Sequence, residues 1–406
     1  MNSIELFAGA GGLALGTGAA GFRHVALLEW DQDACETLRF NAQRHFGGRS
    51  RAEVVEGDVR KFNFRQFEGS LDLVSGGPPC QPFSIGGKHL GFEDERNMFP
   101  EAVRAIREIQ PRAFIFENVK GLLRANFANY FSYIIHQLRF PEVLRRTDED
   151  WQHHLARLER RQTSGVEAGL SYNVVYQVMN AADFGVAQRR ERVLVVGIRA
   201  DLGVEFSFPT PTHEEDSLLF EQWVTGEYWD RHRIRRPAMR TLSPRTQSRV
   251  ERIKTSTNVG LLAAWRTVRD AVGDLPGLND AKTHGVANHV FNPGARSYKG
   301  HDGSPYDYPA KTLKAGDHGV PGGENTLREA NGAVRYFSVR ECARIQSFPD
   351  EWVFCGSWTE TMRQLGNAVP VDLAAIVARK LARDLRKAEK AGSGDVHVQP
   401  RPIARR

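Results

Sequence analysis

The chain has 406 residues, of which 41% are hydrophobic and 26% charged, and carries a formal net charge of +6. That length accommodates two domains with separate cores, and the charge leans modestly toward a polyanionic partner. Four widely separated cysteines (Cys35, Cys80, Cys342 and Cys355) with no CxxC argue against a zinc site or a disulfide framework, and no apolar run reaches membrane-spanning length.

The first recognisable motif begins at Ile4, leaving no length ahead of it for a secretion signal, so a soluble intracellular protein without membrane contact is expected. The run Ile4–Phe7 reads as a buried strand, followed by Phe7-Ala8-Gly9-Ala10-Gly11-Gly12-Leu13-Ala14 opening a helix. This satisfies G-x-G-x-x-A, and its glycines let the backbone approach a ligand whose negative group sits at a helix N-terminus. A dinucleotide pyrophosphate and the carboxylate of S-adenosylmethionine both meet that description.

The second strand, Val25–Leu28, ends in Glu29-Trp30-Asp31, where an acid can take ribose hydroxyls. Trp30 offers a face for adenine; an ordinary core tryptophan is an equal reading of it alone. Val54–Val55 is a third strand ending in Gly57-Asp58-Val59, with Asp58 placed to accept from the adenine amino group.

Leu71–Val74 forms the fourth strand and runs into Gly76-Gly77-Pro78-Pro79-Cys80-Gln81-Pro82-Phe83-Ser84. Two prolines stiffen this loop, and a thiol held rigidly beyond a strand end suits a nucleophile. An amphipathic helix follows over 97–109, then the strand Ala113–Phe116 with Glu117-Asn118-Val119 behind it. Gly9, Glu29, Asp58, Cys80 and Glu117 thereby fall at one rim of a mostly parallel, doubly wound α/β sheet, where such folds bind ligands.

The charged stretch 137–171 reads as a solvated helix, with a DNA-backbone or partner contact as the other reading. Val174–Met179 and Val193–Ile198 are predicted to pair as an antiparallel edge. In Gln188-Arg189-Arg190-Glu191-Arg192-Val193 between them, Arg190 and Arg192 alternate and so share a face.

From Phe208 the periodicity fades, and a second domain of irregular β and loop structure is expected. It carries Arg231, Arg233, Arg235, Arg236, Arg240, Arg245, Arg249 and Arg252, with a glycine-rich loop over 314–323. Arginines can serve phosphates or guanine edges, and any one of them can equally be a solvated surface charge. Ser338 and Glu341 have capping-box spacing for a helix. Gly366-Asn367-Ala368-Val369-Pro370 follows, then a helix over 371–385 with Leu373, Ile376, Val377 and Leu381 on its apolar face. The expected domains are 1–208 and 356–391 for the catalytic core and 209–355 for target recognition, with a disordered tail over 392–406.

The cysteine nonapeptide, the glycine loop, Glu-Asn-Val, the Gln-x-Arg-x-Arg motif, the stretch 340–350 and Gly-Asn-x-Val-Pro resemble, in order, the motifs of the DNA cytosine-5 methyltransferases. The resemblance runs from residue 4 to residue 370, leaving aside the variable recognition region, and 137–171 has no counterpart in it. It implies a methyltransferase-type α/β fold, S-adenosylmethionine rather than a dinucleotide, and no metal. It implies Cys80 as the nucleophile on the 6-carbon of a flipped-out cytosine, Glu117 as acid partner at ring N3, and Arg190 and Arg192 orienting base and thiolate. The implied cofactor residues are Phe7, Gly9, Gly11, Gly12, Glu29, Trp30, Asp58, Val59, Pro78, Asn367 and Ala368. The expected partner is double-stranded DNA, bound by a monomer that protects it from a cognate restriction endonuclease without a stable complex. A related transfer-RNA methyltransferase, a non-catalytic DNA-binding relative and a dinucleotide-dependent oxidoreductase are the alternatives. The last two are disfavoured by the joint presence of Cys80 and Glu117.

Overall fold

The computed structural model describes residues 1–46, 52–79, 97–165, 169–256, 260–278, 285–297, 299, 302–315, 324–329 and 331–392. Its centre is a seven-stranded sheet. The strands are β1 (Asn2–Leu6), β2 (Arg23–Glu29), β3 (Glu53–Glu56), β4 (Leu73–Gly76), β5 (Ala113–Val119), β6 (Tyr172–Asn180) and β7 (Glu191–Arg199). They lie in the order β3-β2-β1-β4-β5-β7-β6. The first five are parallel neighbours, whereas β7 runs antiparallel to both β5 and β6. The strand order reverses beside β1, so the carboxyl ends of β1, β2 and β4 open onto the crevice where such sheets bind ligands.

Helices α1 (Gly12–Ala19), α2 (Gln32–His45), α3 (Phe99–Ile109), α4 (Ala128–Arg139) and α5 (Trp151–Ser164) cover the sheet together with the last helix of the chain. One face is filled by Ile4, Leu6, Phe114, Phe116, Ile106 and Ile134, the other by Leu13, Ile115, Val196, Leu373, Val377 and Leu381. Helix α1 lies directly on the final helix: a Cβ on Gly16 would stand 2.4 Å from Ala374 Cβ and 2.7 Å from Val371 O. Only glycine permits that approach.

The stretch read as a solvated helix is α5, capped by Asp150, whose carboxylate accepts from His153 N–H at 2.8 Å. It is docked rather than fully solvated. Leu158 and His154 are buried, and the His154 ring bridges Tyr133 Oη and Val143 O, each at 2.8 Å. Burial without a carboxylate partner holds its pKa below the usual imidazole range.

Beyond Phe208 the small sheets are short: β8 (His213–Glu214) with β9 (Ala263–Ala264), and β10 (Ser304–Pro305), β11 (Thr326–Arg328) and β12 (Val334–Tyr336). They share the region with helices that the sequence reading did not place: α6 (Glu215–Phe220), α7 (Glu227–Arg231), α8 (Pro244–Lys254) and α9 (Val268–Val272). Leu218, Trp223, Tyr228, Trp229, Val250 and Ile253 form a separate small core there. Three of the arginines offered for DNA are used inside this unit. Arg249 pairs with Glu215 and Asp216, Arg231 with Glu221 and Asp270, and Arg236 donates to Trp223 O. Arg233, Arg235, Arg240, Arg245 and Arg252 are exposed.

The chain then returns through α10 (Val339–Ile345), α11 (Trp358–Asn367) and α12 (Val371–Gly392). The expected capping box is present: Ser338 Oγ accepts from Glu341 N–H at 3.1 Å and Glu341 Oε2 from Ser338 N–H at 2.8 Å. From Phe337 to Phe354 the chain packs with Ala8, Ala10, Leu38 and Phe46 of the first half, with Trp352 fully buried among them. No helix among the described residues is long and apolar enough to cross a membrane. The tail beyond Gly392 and the loop over 316–323 lie outside the described residues.

Candidate active site

At the end of β1 the chain turns through left-handed backbone at Phe7 (φ 55), Gly9 (φ 51) and Gly11 (φ 85). The glycines of this loop do different jobs. A Cβ on Gly9 would meet nothing within 4 Å, so its side of the loop faces open space. A Cβ on Gly12 would lie 2.3 Å from Val369 O, and one on Gly11 2.9 Å from Leu38 Cδ2 and 3.1 Å from Trp352. Gly11 and Gly12 therefore admit the protein's own chain: the G-x-G-x-x-A pattern is needed here for docking the 366–370 turn and Trp352.

Glu29 closes this wall. Its Oε2 accepts from Gly9 N–H at 2.7 Å, and its Oε1 from Trp30 and Asp31 N–H at 2.9 and 3.0 Å. A carboxylate has about four acceptor positions, so three backbone bonds leave one for a hydroxyl. Burial pushes its pKa up against those bonds. The end of β3 joins the same corner, since Gly57 N–H donates to Glu29 O at 2.9 Å. Trp30 is 75% exposed, which removes the core-tryptophan reading and leaves an indole face at the rim.

Asp58 is more committed than expected. It caps a short turn by accepting from Arg60 N–H at 3.0 Å and pairs with the Arg60 guanidinium at 2.7 Å, which holds its carboxyl below the usual range. An adenine amino group would share it with Arg60. Val59 is buried, and its carbonyl accepts from Arg104 at 2.8 Å, so it secures the turn.

Beyond β4, Gly76 is required because a Cβ there would stand 2.5 Å from Leu6 O. Pro78 is buried and its carbonyl accepts from Asn118 Nδ2 at 2.9 Å, tying the loop to the end of β5. Pro79 O accepts from Met98 N–H at 3.1 Å. Cys80 itself lies outside the described residues.

Glu117 stands beside this loop, with its Oε2 3.3 Å from where a Gly77 Cβ would be. It is only 7% exposed. Arg192 Nε lies 2.7 Å from Glu117 Oε1 and holds that oxygen in a buried ion pair. Burial pushes the Glu117 carboxyl up, opposed by the Arg192 and Arg190 charges. A buried carboxyl at raised pKa, with Oε2 beside Gly77 on the loop that leads to Cys80, is suited to donating a proton or hydrogen bond to a base entering the site.

Arg190 departs from its expected role. Burial alternates through Gln188, Arg190 and Arg192, as the shared face required. The Arg190 guanidinium, however, is spent on backbone carbonyls: Leu313 O at 3.0 Å, Gly366 O at 2.6 Å and Ala368 O at 2.8 Å. It is fully buried and holds the loop behind the site. Asn367, between two of those carbonyls, is exposed, and Ala368 is buried.

One support had no signal in the sequence. Arg363 donates to Asp31 Oδ2 at 2.7 Å and so braces the Glu-Trp-Asp corner from α11. Gln188 is buried with both ends of its amide unpartnered. Among the described residues no group of three His, Cys, Asp or Glu is placed to hold a metal.

The family model for C-5 cytosine-specific DNA methylases matches residues 1–141 and 164–383. The chain belongs to this family. The gap in the match falls on the stretch carrying α5. The chain is 34% identical over 389 residues to the type II methyltransferase M.NgoMIV of Neisseria gonorrhoeae, covering 95% of this chain and 98% of that protein. It is also 34% identical over 391 residues to M.PspPI of Psychrobacter sp., covering 95% and 80%.

Among solved structures, a protein assigned as a DNA modification methyltransferase in an E. coli prophage aligns with a TM-score of 0.58 at 20% identity, covering 95% of this chain and 99% of that one. The S. pombe Dnmt2 methyltransferase aligns at 0.55 and 15%, with the same coverage. Both likenesses concern the fold.

Proposed function

We propose that the chain transfers a methyl group from S-adenosylmethionine to the 5-carbon of cytosine in a specific double-stranded DNA sequence. The observation that carries this is Glu117: a buried carboxyl of raised pKa, held through Oε1 by Arg192, with Oε2 beside the loop that leads to Cys80. The wall formed by Gly9, Glu29 and Trp30 fits the cofactor, with open space at Gly9, a spare acceptor position on Glu29 and an exposed indole. Bound there, S-adenosylmethionine supplies an electrophilic methyl group.

The protein's part is to make a poor carbon nucleophile reactive. The target atom is inaccessible inside a duplex, so the cytosine is extruded into the pocket. The Cys80 thiolate adds to the 6-carbon, and Glu117 donates at ring N3 to stabilise the resulting enamine-like ring. Arg192 holds the Glu117 carboxyl in place and supplies positive charge to the site. After methyl transfer a base removes the proton from the 5-carbon and the thiolate leaves.

We assign target recognition to the part of 209–355 ahead of Phe337, where the exposed arginines lie. The stretch from Phe337 packs with the cofactor side. The type II relatives support a protective role alongside a restriction endonuclease; we further propose that the methyltransferase acts in a bacterial cytoplasm and as a monomer. Expressing the protein with a plasmid and mapping 5-methylcytosine at base resolution tests this reading. One short recurrent site, fully methylated, is expected; unmodified DNA carrying every candidate sequence contradicts it.

A further inference from the structure

Arg190 occupies a place that the reaction itself does not explain. Its guanidinium has no solvent exposure, and its hydrogen bonds go to carbonyls of two segments far apart in sequence. Leu313 is the root of the glycine-rich loop of the recognition region. Gly366 and Ala368 flank Asn367 at the end of α11. The two segments also touch directly, since a Cβ on Gly366 would lie 2.2 Å from Ala315 N. On its other side the root is clamped by Asn325, whose side chain accepts from Lys314 N–H and donates to Lys314 O, both at 3.0 Å.

A guanidinium presents its donors in a rigid planar fork, so three carbonyls on two segments are held in one fixed relation. The charge depends on them. Among the described residues no carboxylate hydrogen-bonds to Arg190, and the carbonyls at the C-terminal end of α11 supply the negative end of a helix dipole. Shifting either segment alone would strip hydrogen bonds from a buried charge, a costly state unless the other segment follows.

We propose that Arg190 is a positioning residue that couples DNA recognition to cofactor binding, so that occupation of either segment by its ligand favours the arrangement the other ligand needs. This rests on the proposed function, together with the sequence expectations that the loop over 314–323 serves DNA recognition and that Asn367 and Ala368 serve the cofactor.

The test measures the dissociation constant of S-adenosylhomocysteine with and without the target duplex, in the wild type and in Arg190→Lys. Lysine keeps the charge but cannot span three carbonyls. In the wild type the duplex should tighten cofactor-analogue binding by a factor within roughly 5–150, the usual scale of coupling between sites. In Arg190→Lys that ratio should fall to within about twofold of unity, and by reciprocity the effect of the analogue on duplex affinity should fall equally. A folding defect alone lowers both affinities and leaves their ratio intact.

Hydrogen exchange on the wild type gives a second measurement that needs no variant. S-adenosylhomocysteine alone should slow exchange at 313–315, and duplex alone at 366–370. Unchanged exchange at both, or a ratio that survives Arg190→Lys, overturns the inference. Methylation of the duplex by the same wild-type preparation separates the two failures: turnover without coupling sinks only the inference, and no turnover sinks the reading beneath it.

Discussion

Replacing Gly12 by alanine adds one methyl group at the first residue of α1, and the structure says what it meets. The new Cβ would stand 2.3 Å from Val369 O and 3.2 Å from Phe348 Cζ, whereas ordinary contact begins near 3.4 Å. The nearest obstacle is backbone, so no rotamer change relieves it, and the start of α1 and the 366–370 turn must part by about 1 Å in a close-packed interior. Overpacking of this kind costs roughly 1–3 kcal/mol. Both elements line the proposed cofactor wall, and on that reading binding must restore their spacing. At tenfold per 1.4 kcal/mol, the dissociation constant for S-adenosylhomocysteine should rise by roughly 5–150-fold. Titration calorimetry reads this directly, with circular dichroism confirming that the variant is folded. A folded Gly12→Ala protein with affinity within a factor of about two of wild type would refute the argument, because the turn would then have no part in the cofactor site.

Trp30→Ala removes the exposed indole and should weaken cofactor binding by about 1–3 kcal/mol if adenine stacks there; unchanged calorimetry would take Trp30 out of the site. Glu117→Gln preserves shape but loses the transferable proton, and should slow single-turnover methylation by a factor on the order of 10²–10⁴ with cofactor affinity near normal. A loss below tenfold would reassign Glu117 as only a partner of Arg192. Glu5 is buried in β1, where its Oε2 accepts from Ser75 Oγ at 2.9 Å, and burial pushes its pKa up to about 8 against its hydrogen bonds. The folded state therefore holds this proton more tightly than the unfolded chain. Stability should be highest below the unfolded value of 4.5 and fall, by a few kcal/mol in order of magnitude, as pH rises toward 8. Glu5→Gln should remove that fall, and denaturant melts showing the same pH slope in both proteins would contradict it.

The rim of the sheet was legible because β1, β2, β4 and β5 are largely buried, β2 and β5 with continuous apolar runs, and each strand ends in a polar or glycine-rich turn. The capping box at Ser338 was legible for a similar reason: both partners lie within one helical turn. What was missed depends on contacts between distant segments. The alternation of Arg190 and Arg192 was visible, but the carbonyls that consume Arg190 lie 123 to 178 residues further on. The glycine loop read as room for a ligand, and only packing shows that Gly11 and Gly12 make room for Trp352 and Val369. Trp30 was ambiguous because exposure alone separates a core tryptophan from a platform. The helices between 215 and 254 escaped because they are short, arginine-rich and interrupted by a wide turn at Glu221–Thr225, which erases a 3.6-residue period. Helix α5 was visible as a helix, and its docking through His154 and Leu158 was not.

The central claim is covalent catalysis by Cys80, and a duplex carrying 5-fluorocytosine at the mapped target position tests it most directly. Fluorine cannot leave the 5-carbon as a proton does, so the adduct stalls after methyl transfer. Incubation with S-adenosylmethionine should give a denaturation-resistant protein–DNA complex, with the cross-link mapped to Cys80 by mass spectrometry. Cys80→Ser should form none and should not turn over, because a serine hydroxyl is far less ionised and less nucleophilic than a thiol. A Cys80→Ser protein that methylates DNA at the wild-type rate would contradict the account.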